Sequence, residues 1–317
     1  MMKKPWLCVL AFVGMFAAAS VFAQAYPSRP LRMIVPFPPG GQVDIHGRLV
    51  AKLLEDRLGT QVVVENRAGA GGMVGTVALA QSAPDGYTIG CLVPSTTSRA
   101  FIKNPSVDIF TAFTPIGALH SGWALLTTNP QTARTLKEFI DYAKANPGRV
   151  NLGVSSGPPA MIGAMFASLA GIKMEKIEYK GAAPAMTALV TNEVQANFGG
   201  VPQALPFMEA GKVVALAVGG DTRAPAVPNV PTMAELGYPE VKGNTIEGIF
   251  GPAGMPQAAM ARLVPVMRDI ARSPEIAKMF FSSGKVLDIT NEELMKIIRE
   301  EVDFWLKAGP VAGYVPN

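Results

Sequence analysis

Leu31 to Gly59 reads LRMIVPFPPGGQVDIHGRLVAKLLEDRLG, and in that order it holds a strand, a loop and a helix. LRMIVP is a short apolar run, broken by Pro36-Phe37-Pro38-Pro39-Gly40-Gly41. Asp44 then precedes Ile45, Leu49, Val50, Leu53 and Leu54, which recur at helical spacing up to Gly59. Gln61 to Glu65 (QVVVE) is β-branched and reads as a second buried strand. A glycine loop at 69–72 and a small-residue helix from Met73 to Ser82 follow. The turn Pro84-Asp85-Gly86, in which Pro sets φ and Gly allows a positive φ, leads into a third strand from Tyr87 to Val93. Alternation at this spacing implies right-handed βαβ units around a mainly parallel sheet.

The same pattern restarts downstream. Phe113 to Leu126 is extended but carries Pro115 and Gly117, which suits a crossing connection better than a central strand. Helices are expected over 135–145, 160–170, 183–190 and 205–210, and strands over 150–154, 176–179, 194–198 and 213–218. Pro225, Pro228 and Pro231 mark a connector, Thr245 to Phe250 a return strand, and three helices close the chain, the last two beginning near Ser273-Pro274 and Thr290. The reading is an α/β fold of two lobes, 26–123 with 245–317 and 124–244, each a mainly parallel sheet flanked by helices. The cleft between them is the natural ligand site, because open α/β sheets bind ligands beyond the carboxyl ends of their strands.

The first residues set the compartment. Lys3 and Lys4 precede an apolar stretch from Trp6 to Val21, and small residues at 21–23 or 23–25 sit at cleavage spacing. That is the layout of a secretory signal peptide over 1–25, with Tyr26 as the mature start and the periplasm as destination. Loss of the two lysines lowers the net charge of +4 by two. With no basic run left, a nucleic-acid or membrane-surface partner is not expected. Cys91 would then be the sole cysteine, so no internal disulfide is possible, and its place in an apolar run marks it as a buried strand residue.

The loops that follow strands carry the candidate chemistry. Gly40 and Gly41, beside Phe37 and Pro38, leave backbone N–H groups unobstructed ahead of a helix whose first N–H groups lack internal partners, an arrangement that binds anions. Asp44 and Arg48, four residues apart, read as a structural ion pair. Ser155-Ser156-Gly157, with Ala160 behind them, form a second such loop. Lys180-Gly181 and Gly199 supply further strand ends, and Ser95 and Thr96 add hydroxyls.

Catalytic alternatives are poorly served. Gly69, Gly71 and Gly75 after QVVVE resemble a dinucleotide fingerprint, which would make an oxidoreductase. Yet the next strand ends in Leu92-Val93-Pro94-Ser95, with no acidic residue for a ribose hydroxyl. Only two histidines exist, His46 and His120, and no hydrolase or metal-binding spacing accompanies them, so no catalytic residue, cofactor or metal is expected.

Eight segments stand in order and at matching spacing: Tyr26 to Leu31, Pro36 to Gly41 with Asp44 and Arg48, Val64 to Gly72, Pro84 to Thr88, Asn146 to Gly148, Tyr179 to Gly181, Pro228 to Thr232 and Pro252 to Gly254. Together they strongly resemble the Bug family, the solute receptors of tripartite tricarboxylate transporters. The resemblance implies a periplasmic binding protein that closes on a small carboxylated ligand and presents it to membrane subunits; a monomer is expected. A receptor feeding a membrane signalling partner would use the same surfaces. The family's Gly-Ser/Thr-x-x-His-Leu stretch is shortened here, with Ala160 at the histidine position, and the aromatic common in the return strand is missing from Asn244 to Gly248. The ligand these departures imply has one strongly held carboxylate and an apolar or aromatic body.

Overall fold

The computed structural model describes residues 26–154, 158–179 and 181–314, so the leader reading lies outside the described residues. The described chain forms two sheets. The first block runs β1 (Leu31–Val35), α1 (Gln42–Leu58), β2 (Val62–Asn66), α2 (Met73–Ala80), β3 (Thr88–Leu92) and β4 (Phe113–Gly122). The second runs β5 (Ala124–Thr128), α3 (Leu136–Ala145), β6 (Asn151–Val154), α4 (Pro158–Ala170), β7 (Glu175–Glu178), α5 (Ala182–Val190), β8 (Ala196–Gly200), α6 (Val201–Glu209) and β9 (Val214–Gly219). The chain then returns through β10 (Thr245–Pro252), α7 (Gln257–Ala271), α8 (Pro274–Phe280), β11 (Gly284–Val286) and α9 (Asn291–Val311).

Sheet 1 has the order β11-β4-β10-β3-β1-β2 and sheet 2 the order β7-β6-β8-β5-β9. In each, three parallel strands from βαβ units are extended by antiparallel strands, so both sheets are mixed. The alternation in β1 explains its continuous apolar sequence. Leu31, Met33 and Val35 face a core with Val50 and Leu54 of α1 and Leu263 and Met267 of α7. Ile34 faces the opposite core with Phe250 of β10 and Leu294, Ile298 and Val302 of α9. A strand buried on both faces has no reason to alternate polar with apolar residues.

One expectation is overturned. Phe113 to Leu126 is not a crossing connection but two strands, β4 and β5, each inside its sheet. Pro115 is tolerated because the β10 register shifts between Ile249 and Phe250, which leaves Pro115 opposite Phe250 at an irregularity rather than in a regular ladder. Gly117 is required there for another reason. A Cβ at that position would lie 2.8 Å from Cβ of Met267, so its absence lets α7 pack onto the strand. Strand β11 and the start of α6 at Val201 were also not anticipated.

The chain passes between the sheets with little slack. Only Trp123 separates β4 from β5, and its N–H donates to the Ser283 carbonyl at 3.1 Å. The last helix joins both halves. Leu294, Ile298 and Val302 of α9 lie in a core of sheet 1, whereas Trp305, one turn on, lies in the core of sheet 2 with Phe139 and Phe166. The helix begins with a full capping box, in which Thr290 Oγ1 accepts the Glu293 N–H and Glu293 accepts the Thr290 N–H.

Candidate ligand-binding cleft

The parallel strands of sheet 1 end at Val35, Asn66 and Leu92, and those of sheet 2 at Val154, Glu178 and Gly200. Gln203 Nε2 of α6 lies 3.5 Å from Gln42 Oε1 of α1, so these carboxyl ends face one another. A Cβ on Gly200 would stand 2.5 Å from Gln203 Oε1 and 3.2 Å from Gln42 Oε1, and glycine there allows the approach.

The Pro-Gly-Gly loop is held by its own helix. Asp44 Oδ2 accepts the Gly40 N–H at 2.8 Å and Arg48 Nε at 2.9 Å, and Asp44 Oδ1 accepts from Asn66 Nδ2 at 2.7 Å. Asn66 Nδ2 also donates to the Phe37 carbonyl at 3.0 Å. Burial of Asp44 opposes its charge, but the hydrogen bonds from Arg48, Asn66 and Gly40 hold its carboxyl below the usual range. The Gly41 N–H donates to the Pro38 carbonyl at 3.3 Å. Both glycine N–H groups are therefore engaged within the loop. The donors left over are one step along, on Gln42, Val43 and Asp44, whose N–H groups have no acceptor among the described residues. Phe37 packs its ring against Gly72, 3.2 Å from where a Cβ would stand.

The other predicted residues separate into distinct environments. Ser95 lies in the 3-10 turn Pro94–Thr97 and is fully buried, its hydroxyl without a hydrogen-bond partner among the described residues. It faces the Glu301 carboxyl of α9, which burial pushes up to about 8 despite Ser95, the Ile246 backbone and Trp305 nearby. Thr96 Oγ1 donates to the Val93 carbonyl at 2.8 Å. Ala160 is packed in the sheet 2 core with Phe166 and Trp305. Gly181 has φ +121° and an N–H that donates to Tyr179 at 2.8 Å; a side chain there would meet nothing within 4 Å. Gly199 lies within β8 opposite Leu125. Ser155, Ser156, Gly157 and Lys180 lie outside the described residues.

Sequence reasoning passed over Gln42, Gln203 and Asn244. Asn244 Nδ2 donates to Ser121 Oγ at 3.0 Å where β10 and β4 leave sheet 1. Asn244 Oδ1 and Gln203 Oε1 are buried without a hydrogen-bond partner among the described residues. Such atoms are costly unless a ligand or water serves them. The available signal was a glutamine within the first turn of a helix entered through a glycine, as at Gly41-Gln42 and Gly200-Val201-Pro202-Gln203.

Residues 47–309 match the tripartite tricarboxylate transporter family receptor. Protein BugT of Bordetella pertussis is 34% identical over 309 residues, covering 94% of this chain and 95% of BugT. A Rhodopseudomonas palustris protein solved with adipate superposes with a TM-score of 0.85 at 25% identity, covering 92% of this chain and 100% of its own. MatC of the same organism, solved with bound malate, gives 0.80 at 26% identity, covering 89% and 99%. With a family match across most of its length and a relative above 30% identity end to end, the chain belongs to the Bug family of tripartite tricarboxylate transporter receptors, which are solute-binding proteins and not enzymes.

Proposed function

We propose that this receptor captures a small carboxylate in the periplasm between its two sheets and delivers it to the membrane subunits of a tripartite transporter. One carboxylate of the ligand accepts the Gln42, Val43 and Asp44 N–H groups at the positive end of α1. There free donors and the helix dipole act together. The observation that carries this reading is the meeting of Gln42 with Gln203 across the cleft, where Gln203 and Asn244 each bury an oxygen without a partner among the described residues. Phe37 and Pro38 supply an apolar wall for the remainder of the ligand. Adipate, the ligand of one relative, pairs carboxylates with a hydrocarbon middle, and malate, that of another, is shorter and more polar. The wall beside Phe37 favours the former class.

The lobes are 26–123 with 245–317 and 124–244, residues 1–25 are a cleaved leader, and the receptor works as a monomer. Closure is driven only by what the ligand gains in the closed state. A thermal-shift panel of aliphatic dicarboxylates, tricarboxylates, amino acids and aromatic acids tests the reading. A ligand at a hundred times its Kd stabilises by about 2.7 kcal/mol, a rise of roughly 5–10 °C at this size. A rise with adipate-like acids supports it; a flat response to every carboxylate rejects it.

A further inference from the structure

We propose that His46, His120 and Glu247 form a buried site for a divalent transition-metal ion of the zinc class within sheet 1. The three come from three elements: His46 from α1, His120 from β4 and Glu247 from β10. One ligand atom from each lies within 4.8 Å of the other two. His46 Nδ1 is 2.9 Å from Glu247 Oε2, and His120 Nδ1 is 3.5 Å from the same oxygen. Zinc–nitrogen and zinc–oxygen bonds of about 2.0–2.2 Å at tetrahedral angles put ligand atoms roughly 3.3–3.6 Å apart. One observed separation lies inside that span and the other about 0.4 Å below it, so small side-chain rotations would admit an ion.

A second observation points to a missing partner. His120 is 2% exposed, and neither of its ring nitrogens has a hydrogen-bond partner among the described residues. A buried imidazole left this way is costly, and a metal ion would use one nitrogen directly. The surroundings are built to orient ligands. Cys91 Sγ donates to Glu247 Oε1 at 3.1 Å, so an ion at Oε2 would replace only the hydrogen bond that His46 Nδ1 makes there. Phe280 stacks on His120 at 4.2 Å and meets His46 edge-on at 4.6 Å, and all three ligand residues are buried. Two histidines and a carboxylate are a sufficient protein ligand set for zinc, with water completing the tetrahedron. The bound ion would tie the first turns of α1, which carry the free N–H groups at the cleft, to the strands that leave sheet 1.

These are the chain's only histidines, so a protein without a histidine tag reports on this site alone. The protein is stripped with chelator, refolded with or without equimolar zinc, and checked by circular dichroism. Long-range proton–nitrogen correlation then follows its two imidazoles, and thermal unfolding is recorded in parallel. The site predicts one zinc retained per chain after desalting, displacement of both ring-nitrogen resonances, and a melting temperature several degrees higher with zinc. It also predicts that His46→Gln removes the zinc response. Unchanged imidazole resonances and melting temperature in the folded parent would overturn the proposal, leaving a buried His–Glu cluster only. A zinc response that survives in folded His46→Gln would overturn it as well.

Discussion

Asp44 accepts the Gly40 N–H at 2.8 Å, so the carboxylate at the start of α1 closes the glycine loop behind it and leaves the next N–H groups to face the cleft. A carboxylate beside the proposed anion site is tolerable because Arg48 and Asn66 hold it. Replacing Asp44 with Ala should remove the loop's support and leave Asn66 and Gly40 without their acceptor, costing about 1–3 kcal/mol. Denaturant unfolding measures the loss. Because the folded carboxyl lies below its ordinary value, its contribution is present above the unfolded pKa and fades as pH falls through the folded one. The variant should therefore show a flatter acid limb of stability than the parent.

Gly40 and Gly41 should respond differently to a side chain. Gly40 has φ +77°, and a β-branched residue there would be strained by roughly 1–2 kcal/mol. Gly41 has φ −73°, open to any residue, and an added Cβ would sit 3.2 Å from the Pro38 carbonyl. Gly41→Val should stay folded within about 1 kcal/mol of the parent, yet lose ligand affinity because it crowds the neighbouring N–H groups. Calorimetry with the best ligand of the panel checks this; unchanged affinity would move the anion site away from the loop.

Gln42 and Gln203 should matter to binding more than to stability. Each Ala variant is expected to weaken ligand affinity about tenfold, the loss of roughly one hydrogen bond. Unfolding midpoints should shift little. A double-mutant cycle on affinity should give a coupling energy different from zero, since the two amides meet across the cleft.

Glu301 should make the protein less stable in mild alkali. Its carboxyl is raised by burial from 4.5 to about 8, so the folded chain keeps a proton that the unfolded chain releases. That contribution is whole below pH 4.5 and is lost as pH rises towards 8. Glu301→Gln keeps the shape without the titration and should be more stable than the parent at pH 8 by roughly 4 kcal/mol. Equal pH dependence in the two proteins would refute the assignment.

Trp305→Ala should destabilise by about 3–5 kcal/mol, as expected for a large buried aromatic. Because α9 packs against both sheets, the loss should also loosen one half against the other. Small-angle scattering of the folded variant should give a larger radius of gyration than the parent, and no change would confine the effect to the sheet 2 core.

The sequence by itself determined the two-block α/β architecture, because local signals suffice for it. The apolar run 31–36, the breaks at Pro36 to Gly41 and at Gly59, and the turn at Pro84 to Gly86 each set an element through backbone geometry or burial period, without reference to distant residues. The eight ordered segments determined the family in the same way. Only the tertiary structure decided where β4 sits, because the register shift that admits Pro115 belongs to β10, more than a hundred residues away. It also decided which donors the glycine loop leaves free. A glycine N–H looks available in sequence, but its hydrogen bond to Asp44 depends on how the loop folds back onto the helix. The meeting of Gln42 with Gln203, and of His46 with His120 and Glu247, is invisible to any local reading. Contacts between residues far apart in the chain are set by how helices and strands pack, and packing is a property of the whole core rather than of any one segment.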